Sequence, residues 1–365
     1  MNIIFRVDSS VEIGTGHVMR CLTLAKQLNT TNSNIIFISR KLKGDIIKII
    51  EDNGFPVYVL APLYDYASDL EWYEKCWETD ALDTIDIIKE NNLEPDILIV
   101  DHYGLEERWE TSLKKFVQKV LIIDDLANRK HNCEFLVDQN YYLNLSTRYE
   151  GLVPENCREM LGPKFVLLRE EFFKIFSEIK KHDGHVRNIL VFFGGTDPTN
   201  ETLKTLRALS SLKQYNFDVN VIVGASNPLK EDIKRYCEKQ KKFHFYCQVS
   251  NISTYMNMAD LAIGAGGTTT WERCYLGLPS ITITVADNQV EATKAVEHTK
   301  STIYLGHYNS VTEEQIKQKV EQLLHDKEAL ITLSTSASLL VNAEIVNTKP
   351  LSRVILEEID IEHSR

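Results

Sequence analysis

Asn2-Ile3-Ile4-Phe5-Arg6-Val7 runs into Asp8-Ser9-Ser10 and on to Gly14-Thr15-Gly16-His17, and the reading of this opening stretch decides the fold. Residues 2–7 are apolar except for Arg6 and read as a short buried strand. Behind the glycines, Val18, Cys21, Leu22, Ala25 and Leu28 recur at helical spacing and mark one apolar face. The glycine turn therefore lies between a strand and a helix, where an open α/β sheet places its ligands. His17 falls in the first turn of that helix. The positive end of the helix dipole disfavours imidazolium there, so a neutral imidazole able to act as a general base is expected near neutral pH. Against this stands a plainer reading: a histidine at a helix start is often only a solvated turn residue, and Gly-x-Gly alone is a weak signal.

Working outward, strands are expected at 34–38, 56–60, 96–100 and 120–123, and helices at 43–53, 80–92 and over a stretch closing at 113–117. Residues 61–78 are aromatic and acidic without a clean period and read as a long loop. This alternation defines a doubly wound α/β domain. From Cys133 to about Asp183 the pattern loosens, which places the domain connection there. It then restarts, with strands at 187–193, 217–223, 243–245, 261–263 and 280–284 and helices between them. The expected organisation is an N-terminal Rossmann-like domain at 1–160, a connection at 161–186, a C-terminal Rossmann-like domain at 187–340 and a tail at 341–365 whose helices Pro350 breaks. Two such domains facing each other, with glycine turns at their strand ends, would take a ligand in the cleft between them.

Bulk properties narrow the function. A chain of 365 residues exceeds one ordinary core, and 43% hydrophobic with 25% charged residues is the composition of a soluble globular protein. The net charge of −11, with no block rich in lysine or arginine, argues against nucleic acid as a partner. An anionic ligand would have to be held locally by backbone amides and helix ends. The seven cysteines are scattered without a Cys-x-x-Cys pair, so neither a disulfide framework nor a zinc ribbon is indicated. No uninterrupted apolar run spans a bilayer. A cytoplasmic, reduced protein without a membrane span, metal or cofactor is expected.

Beyond His17, the strongest local signal is Gly264-Ala265-Gly266-Gly267-Thr268-Thr269-Thr270-Trp271-Glu272. A glycine turn from strand to helix exposes backbone N–H groups that suit a diphosphate. Glu272, one turn into the helix, could accept hydrogen bonds from ribose hydroxyls, but Thr269-x-x-Glu272 is equally a capping box. Gly194-Gly195-Thr196-Asp197 could hold a phosphate or a base, or be a tight turn before a helix capped by Asp197 or Thr199. Asp101-His102-Tyr103 sits at the carboxyl end of an expected buried strand, the rim from which side chains reach ligands. Asp124-Asp125 resembles a metal pair, yet adjacent strand residues point opposite ways. Asp287-Asn288-Gln289 suits sugar hydroxyls and amides and is also ordinary loop composition.

Taken together, these stretches, with Arg6-Val7-Asp8-Ser9-Ser10, Gly14-Thr15-Gly16-His17-Val18-Met19-Arg20-Cys21, Asp101-His102-Tyr103-Gly104-Leu105, Ile123-Asp124-Asp125-Leu126-Ala127 and Leu167-Leu168-Arg169, resemble the PseG family. These are the UDP-2,4-diacetamido-2,4,6-trideoxy-β-L-altropyranose hydrolases of pseudaminic acid biosynthesis, with relatives in spore-coat polysaccharide biosynthesis. The resemblance runs from residue 3 to about residue 290 and thins beyond roughly residue 300. It implies a GT-B fold similar to the UDP-GlcNAc transferase of peptidoglycan synthesis, and metal-free attack of water on the anomeric carbon to release UDP and the free sugar. It also implies roles: His17 as general base, residues 266–269 (Gly266, Gly267, Thr268, Thr269) on the diphosphate and Glu272 on ribose. Uracil would lie along the backbone from Val249 to Ile252, and Tyr103, Asn288 and Gln289 would meet the sugar. Gly14, Gly16, Gly195 and Thr196 complete the expected UDP-sugar site. Two departures stand out: residues 61–78 lack motif residues and would shape a different sugar pocket, and the last forty residues lack the family's glycine-containing ending. A glycosyltransferase of the same fold is the alternative reading. A non-catalytic nucleotide-sugar binder is the third, although a sensor has no use for a base at His17.

Overall fold

The computed structural model describes residues 1–62 and 68–363. The chain forms two compact units, the first Met1–Asn140, Asn144–Leu167 and Lys349–Arg365, the second Tyr141–Leu143 and Leu168–Thr348.

The first unit is a seven-stranded parallel sheet of β1 (Asn2–Val7), β2 (Asn34–Arg40), β3 (Val57–Leu60), β4 (Ile97–Asp101), β5 (Val120–Ile123), β6 (Phe135–Asp138) and β7 (Arg158–Leu161). Its order is β3-β2-β1-β4-β5-β6-β7, so the winding reverses between β1 and β4, where Val7 and Asp101 lie side by side. That reversal opens the crevice in which such sheets place ligands. Both faces of the sheet are covered, which is why its strands read as near-continuous apolar runs. On one face Ile3, Phe5 and Val7 meet Val18, Cys21, Leu22, Ala25 and Leu28 of α1 (Gly16–Leu28). On the other, Ile4, Leu98 and Val100 pack in one core with residues of α3 (Asp69–Glu90) and α4 (Glu107–Leu113), while α2 (Ile47–Asp52) precedes β3.

The second unit is a six-stranded parallel sheet of β8 (Asn188–Phe192), β9 (Asp218–Val223), β10 (Phe243–Cys247), β11 (Leu261–Ala265), β12 (Ser280–Thr284) and β13 (Ile303–His307), ordered β10-β9-β8-β11-β12-β13. Its winding reverses between β8 and β11. After α5 (Glu170–Lys174), the helices are α6 (Glu201–Ser210), α7 (Lys230–Glu238), α8 (Ile252–Met258), α9 (Thr268–Tyr275), α10 (Asn288–His298), α11 (Glu313–His325), α12 (Lys327–Leu340) and α13 (Ala343–Thr348). The chain closes with α14 (Leu351–His363).

The structure corrects the sequence reading at four places. Helix α3 starts at Asp69, so most of the expected loop at 61–78 is helical, and residues 63–67 lie outside the described residues. The Ser68 side chain caps it by accepting from the Glu71 N–H, and non-helical backbone at Cys76 breaks the apolar period that would have revealed it. The loosened stretch at 133–183 contains β6 and β7, each only four residues long and too short to show a period. The domain limits also move. Residues 161–167 belong to the first unit and 168–186 to the second, while the tail divides, because Leu351, Val354, Ile355 and Ile359 of α14 join the α1 side of the first core. Finally, Lys327–Thr348 is long and apolar enough to cross a membrane by length and composition, although 28% of its most apolar window is buried. It is broken between α12 and α13, and Leu330, Leu333 and Ala337 are buried within the second unit.

Candidate active site

In the first unit, the turn after β1 is closed by the Gly14 N–H donating to the Ser10 carbonyl at 2.9 Å. The Glu12 and Ile13 N–H groups donate to the Ser10 hydroxyl. Gly14 adopts φ +83°, the left-handed region that glycine enters without steric cost. Helix α1 then starts at Gly16, Thr15 makes no side-chain cap, and no acidic residue occupies its first turn. His17 is thus delivered to the end of β1, beside the end of β4.

There its Nδ1 lies 2.5 Å from Oδ1 of Asp101, the last residue of β4 and fully buried. One helical turn on, Arg20 shares the face of His17 and donates from Nε and Nη2 to the same carboxylate, both at 2.7 Å. Its Nη1 donates to Asp125 at 3.0 Å, and Asp125 also accepts from the Tyr103 hydroxyl at 2.9 Å. The Tyr103 ring returns edge-on to His17 with centroids 4.4 Å apart. Burial alone would raise the Asp101 carboxyl, but Arg20 and His17 outweigh it and hold it below the ordinary carboxylate range. Burial, with Asp125 beside it, raises the Tyr103 hydroxyl, which stays protonated and donating. An ionised Asp101 can only accept, so the neutral tautomer that suits it carries the imidazole proton on Nδ1 and the lone pair on Nε2. Among the described residues Nε2 has no protein hydrogen-bond partner.

A second buried network lies behind the first. Arg6 donates to Asp8 and Asp80, both at 2.6 Å, Arg40 donates to Asp80 at 2.7 Å, and Trp109 Nε1 donates to Asp80 at 3.0 Å. Asp8 also accepts from the Tyr73 hydroxyl and faces His102 Nε2 at 3.3 Å. Burial would raise Asp8, and Arg6 with His102 overrides it to hold the carboxylate ionised. Burial lowers the His102 imidazole. His102 is therefore a structural residue, although sequence grouped it with its neighbours Asp101 and Tyr103. Asp124 and Asp125 also part company: Asp124 pairs with Arg129 at 2.8 Å and accepts from Tyr149, while Asp125 turns to Arg20.

In the second unit, β11 runs into Gly266 and Gly267. Gly267 is the N-cap of α9 with φ +89°. A side chain at Gly266 would meet Thr293 Oγ1 at 2.9 Å and Gln289 Cβ at 3.1 Å, so glycine lets the start of α10 lie against the start of α9. Two helix N-termini thus meet at one glycine turn, a natural place for an anion. Thr268 and Thr269 form the first turn of α9, and Asn288 and Gln289 the first turn of α10. The Gln289 side-chain oxygen accepts from the Val285 N–H at 3.0 Å and secures that turn.

Glu272 is not a cap. It is 6% exposed, and its Oε1 accepts from Arg169 Nε and Nη2 at 2.9 and 2.7 Å. Its Oε2 is buried without a hydrogen-bond partner. Burial raises this carboxyl, partly offset by Arg169. Arg169 also pairs with Glu171 at 3.2 Å, and Glu171 accepts from the Ser253 N–H at the start of α8. Ile252 is buried, whereas Ser250 and Asn251 before it are exposed. After β8, Asp197 accepts from the Glu201 and Thr202 N–H groups, both at 2.9 Å, and so satisfies the first amides of α6, whose N-cap position is Asn200. Gly195 packs on Gly224 and, like Thr196, stays exposed. Sequence reasoning missed the link of Asp101 and Arg20 to His17, and that of Arg169 to Glu272. The faint signals were helical spacing between His17 and Arg20 and the polar end of the Leu167-Leu168-Arg169 motif.

Two parallel α/β units, each with a glycine turn at its point of reversal, define the GT-B class. MurG of Acinetobacter baumannii matches with a TM-score of 0.65 over 100% of both chains at 12% identity, and residues 188–348 match the glycosyltransferase family 28 C-terminal domain. Within that class, the chain is 31% identical over 264 residues, 72% of its length and 84% of the relative's, to the UDP-2,4-diacetamido-2,4,6-trideoxy-β-L-altropyranose hydrolase of Campylobacter jejuni, and it belongs to that family. An uncharacterized protein of Methanocaldococcus jannaschii is 32% identical over 78% of this chain, which spans 55% of that relative's length.

Proposed function

We propose that the protein hydrolyses the anomeric C–O bond of UDP-2,4-diacetamido-2,4,6-trideoxy-β-L-altropyranose, releasing UDP and the free diacetamido sugar. The observation that carries this reading is the His17–Asp101 pair, which puts a proton-accepting Nε2 at the strand ends of the first unit. In the proposed reaction, water oxygen bonds to the anomeric carbon as the bond to the diphosphate oxygen breaks, with positive charge building on the sugar. Nε2 takes the water proton, and Asp101 stabilises the imidazolium that forms. The amides at Gly267, Thr268 and Thr269 would take up charge on the departing diphosphate, a role that requires no metal. The free Oε2 of Glu272 is an acceptor for a ribose hydroxyl. Tyr103, Asn288 and Gln289 remain the proposed sugar contacts, and the 249–252 backbone the uracil contact. A cytoplasmic location is part of the proposal, and seven free cysteines suit a reducing compartment.

The test is UDP release in oxygen-18 water by wild type and His17→Ala. Label in the sugar and none in UDP, with release lost in the variant, supports hydrolysis by His17. Label in UDP refutes attack at the anomeric carbon. The same dyad could deprotonate an acceptor alcohol, and the family 28 match favours this transferase reading. Release that occurs only when an acceptor is added would establish it.

A further inference from the structure

The α3 extension is built rigidly into the first unit. Ser10 Oγ donates to Asp69 at 2.5 Å, and the Asp69 N–H donates to Glu12 at 2.9 Å, tying the start of α3 to the turn that carries His17. The Arg40 guanidinium stacks on Trp72 at 4.7 Å, and Tyr73 packs on His102 with centroids 4.2 Å apart. Gly104 makes this seat possible, since a Cβ there would lie 2.5 Å from Tyr73 Cβ. What the seat creates is a cavity of about 450 Å³ whose walls include Leu70, Trp77, Tyr103, Arg108, Leu126 and Arg129. Tyr103 is a shared wall, because its ring also lies against His17.

The electrostatics of this cavity select its occupant. The Arg108 guanidinium lies over Trp77 at 5.2 Å and pairs with Glu106. Arg129 pairs with Asp124 at 2.8 Å and donates to the Leu105 and His102 carbonyls at 3.1 and 3.0 Å. Both cations are thus compensated, and Glu74 adds a carboxylate to the lining. A phosphate or carboxylate would meet no uncompensated cation among these described residues. A neutral group that is part hydrocarbon and part amide matches the aromatic and aliphatic walls and the polar rim. Its volume far exceeds a single acetyl group.

We infer that this cavity receives an N-acyl substituent of the UDP-sugar longer than acetyl, with Trp77 and Leu70 as specificity determinants. This rests on the reading that His17 acts on a UDP-linked amino sugar. The sugar whose acyl chain reaches the cavity is preferred over its acetamido counterpart, with a gain of roughly tenfold or more for two added methylenes.

The experiment compares the diacetamido UDP-sugar with analogues in which one acetamido group, each in turn, is replaced by butanamido. One butanamido analogue is expected to show the higher kcat/KM with wild type. Trp77→Ala, which removes a wall, and Leu70→Trp, which narrows the cavity, should both bring the ratio towards one, mainly through KM. Leu82→Ala, at a 59% exposed position of α3, serves as the control and should leave the ratio unchanged. Equal use of all three substrates by wild type, a preference for acetamido, or an unchanged ratio in both cavity variants overturns the inference. If no substrate is hydrolysed, the hydrolase reading fails separately. The cavity is then judged by competition of the same compounds against labelled UDP: a butanamido preference removed by the two variants sustains it, and equal competition overturns it.

Discussion

Replacing Asp101 with asparagine separates the charge of the dyad from its shape. The carboxylate accepts from His17 and twice from Arg20. In Asp101→Asn, Arg20 has only donors, so it claims the amide oxygen and leaves the amide nitrogen facing Nδ1. That nitrogen can only donate, so the imidazole keeps its lone pair on Nδ1 and carries its proton on Nε2, the tautomer that cannot accept from water. The loss should approach the full value of general-base catalysis, about 10²–10⁴ in kcat, or about 3–5 kcal/mol of barrier. There is also a cost in stability. Removing one partner of a buried ion pair costs about 3–5 kcal/mol, and the lower end applies because Arg20 keeps Asp125 at 3.0 Å. UDP affinity should not change, since the residues assigned to the nucleotide belong to the other unit. The assay is UDP release at saturating substrate, with thermal melts and UDP titration of the same preparations. Because Asp101 acts through His17, the double variant His17→Ala/Asp101→Asn should be no slower than His17→Ala. A folded Asp101→Asn enzyme with kcat within about threefold of wild type would refute the positioning role. So would a full second loss on the His17→Ala background.

Three further outcomes are expected. Glu272→Gln should weaken UDP binding by about tenfold, the worth of one hydrogen bond to a charged group, with kcat less affected; an unchanged dissociation constant by calorimetry would remove Glu272 from the ribose site. Burial pushes the Asp138 carboxyl, with Asp125 and Asp124 near it, up to about 7, above its unfolded value, so the folded state holds a proton the unfolded chain has lost. Stability should therefore fall as pH rises from about 4 through 7, by up to about 4 kcal/mol, and Asp138→Asn should flatten that slope in pH-dependent melts; an equally steep slope in the variant contradicts the assignment. Preincubation with EDTA should leave turnover intact, and inhibition reversed by a divalent ion would count against amide-held diphosphate.

The parts of the fold that sequence revealed are those where burial imposes a period. Strands β1, β2, β4 and β8 are continuous apolar runs because helices cover both faces of each sheet, and α1 shows its core face through Val18, Cys21, Leu22, Ala25 and Leu28. Where elements are short or bent the pattern gave out. Strands β6 and β7 are four residues each, and α3 hides its period behind the break at Cys76. Glycines were legible for a related reason: positive φ at Gly14 and Gly267 and the close approach at Gly266 demand a residue without a side chain.

Partnerships were less legible than positions, because a parallel sheet brings together strand ends far apart in the chain. His17, Asp101 and Asp125 meet only because β4 lies between β1 and β5. The same topology separates two polar systems that sequence interleaves: Asp101 and Tyr103 reach His17, while His102 between them turns to Asp8 and Tyr73. This alternation follows from a strand end presenting successive side chains to opposite faces. Its consequence is that loss of activity means different things at neighbouring positions. Substitution at Asp101 is expected to cost the proposed activity in a protein that still folds. Substitution at Asp8 or Asp80 strips one of the two carboxylates that pair with the buried Arg6, and is expected to act on folding first.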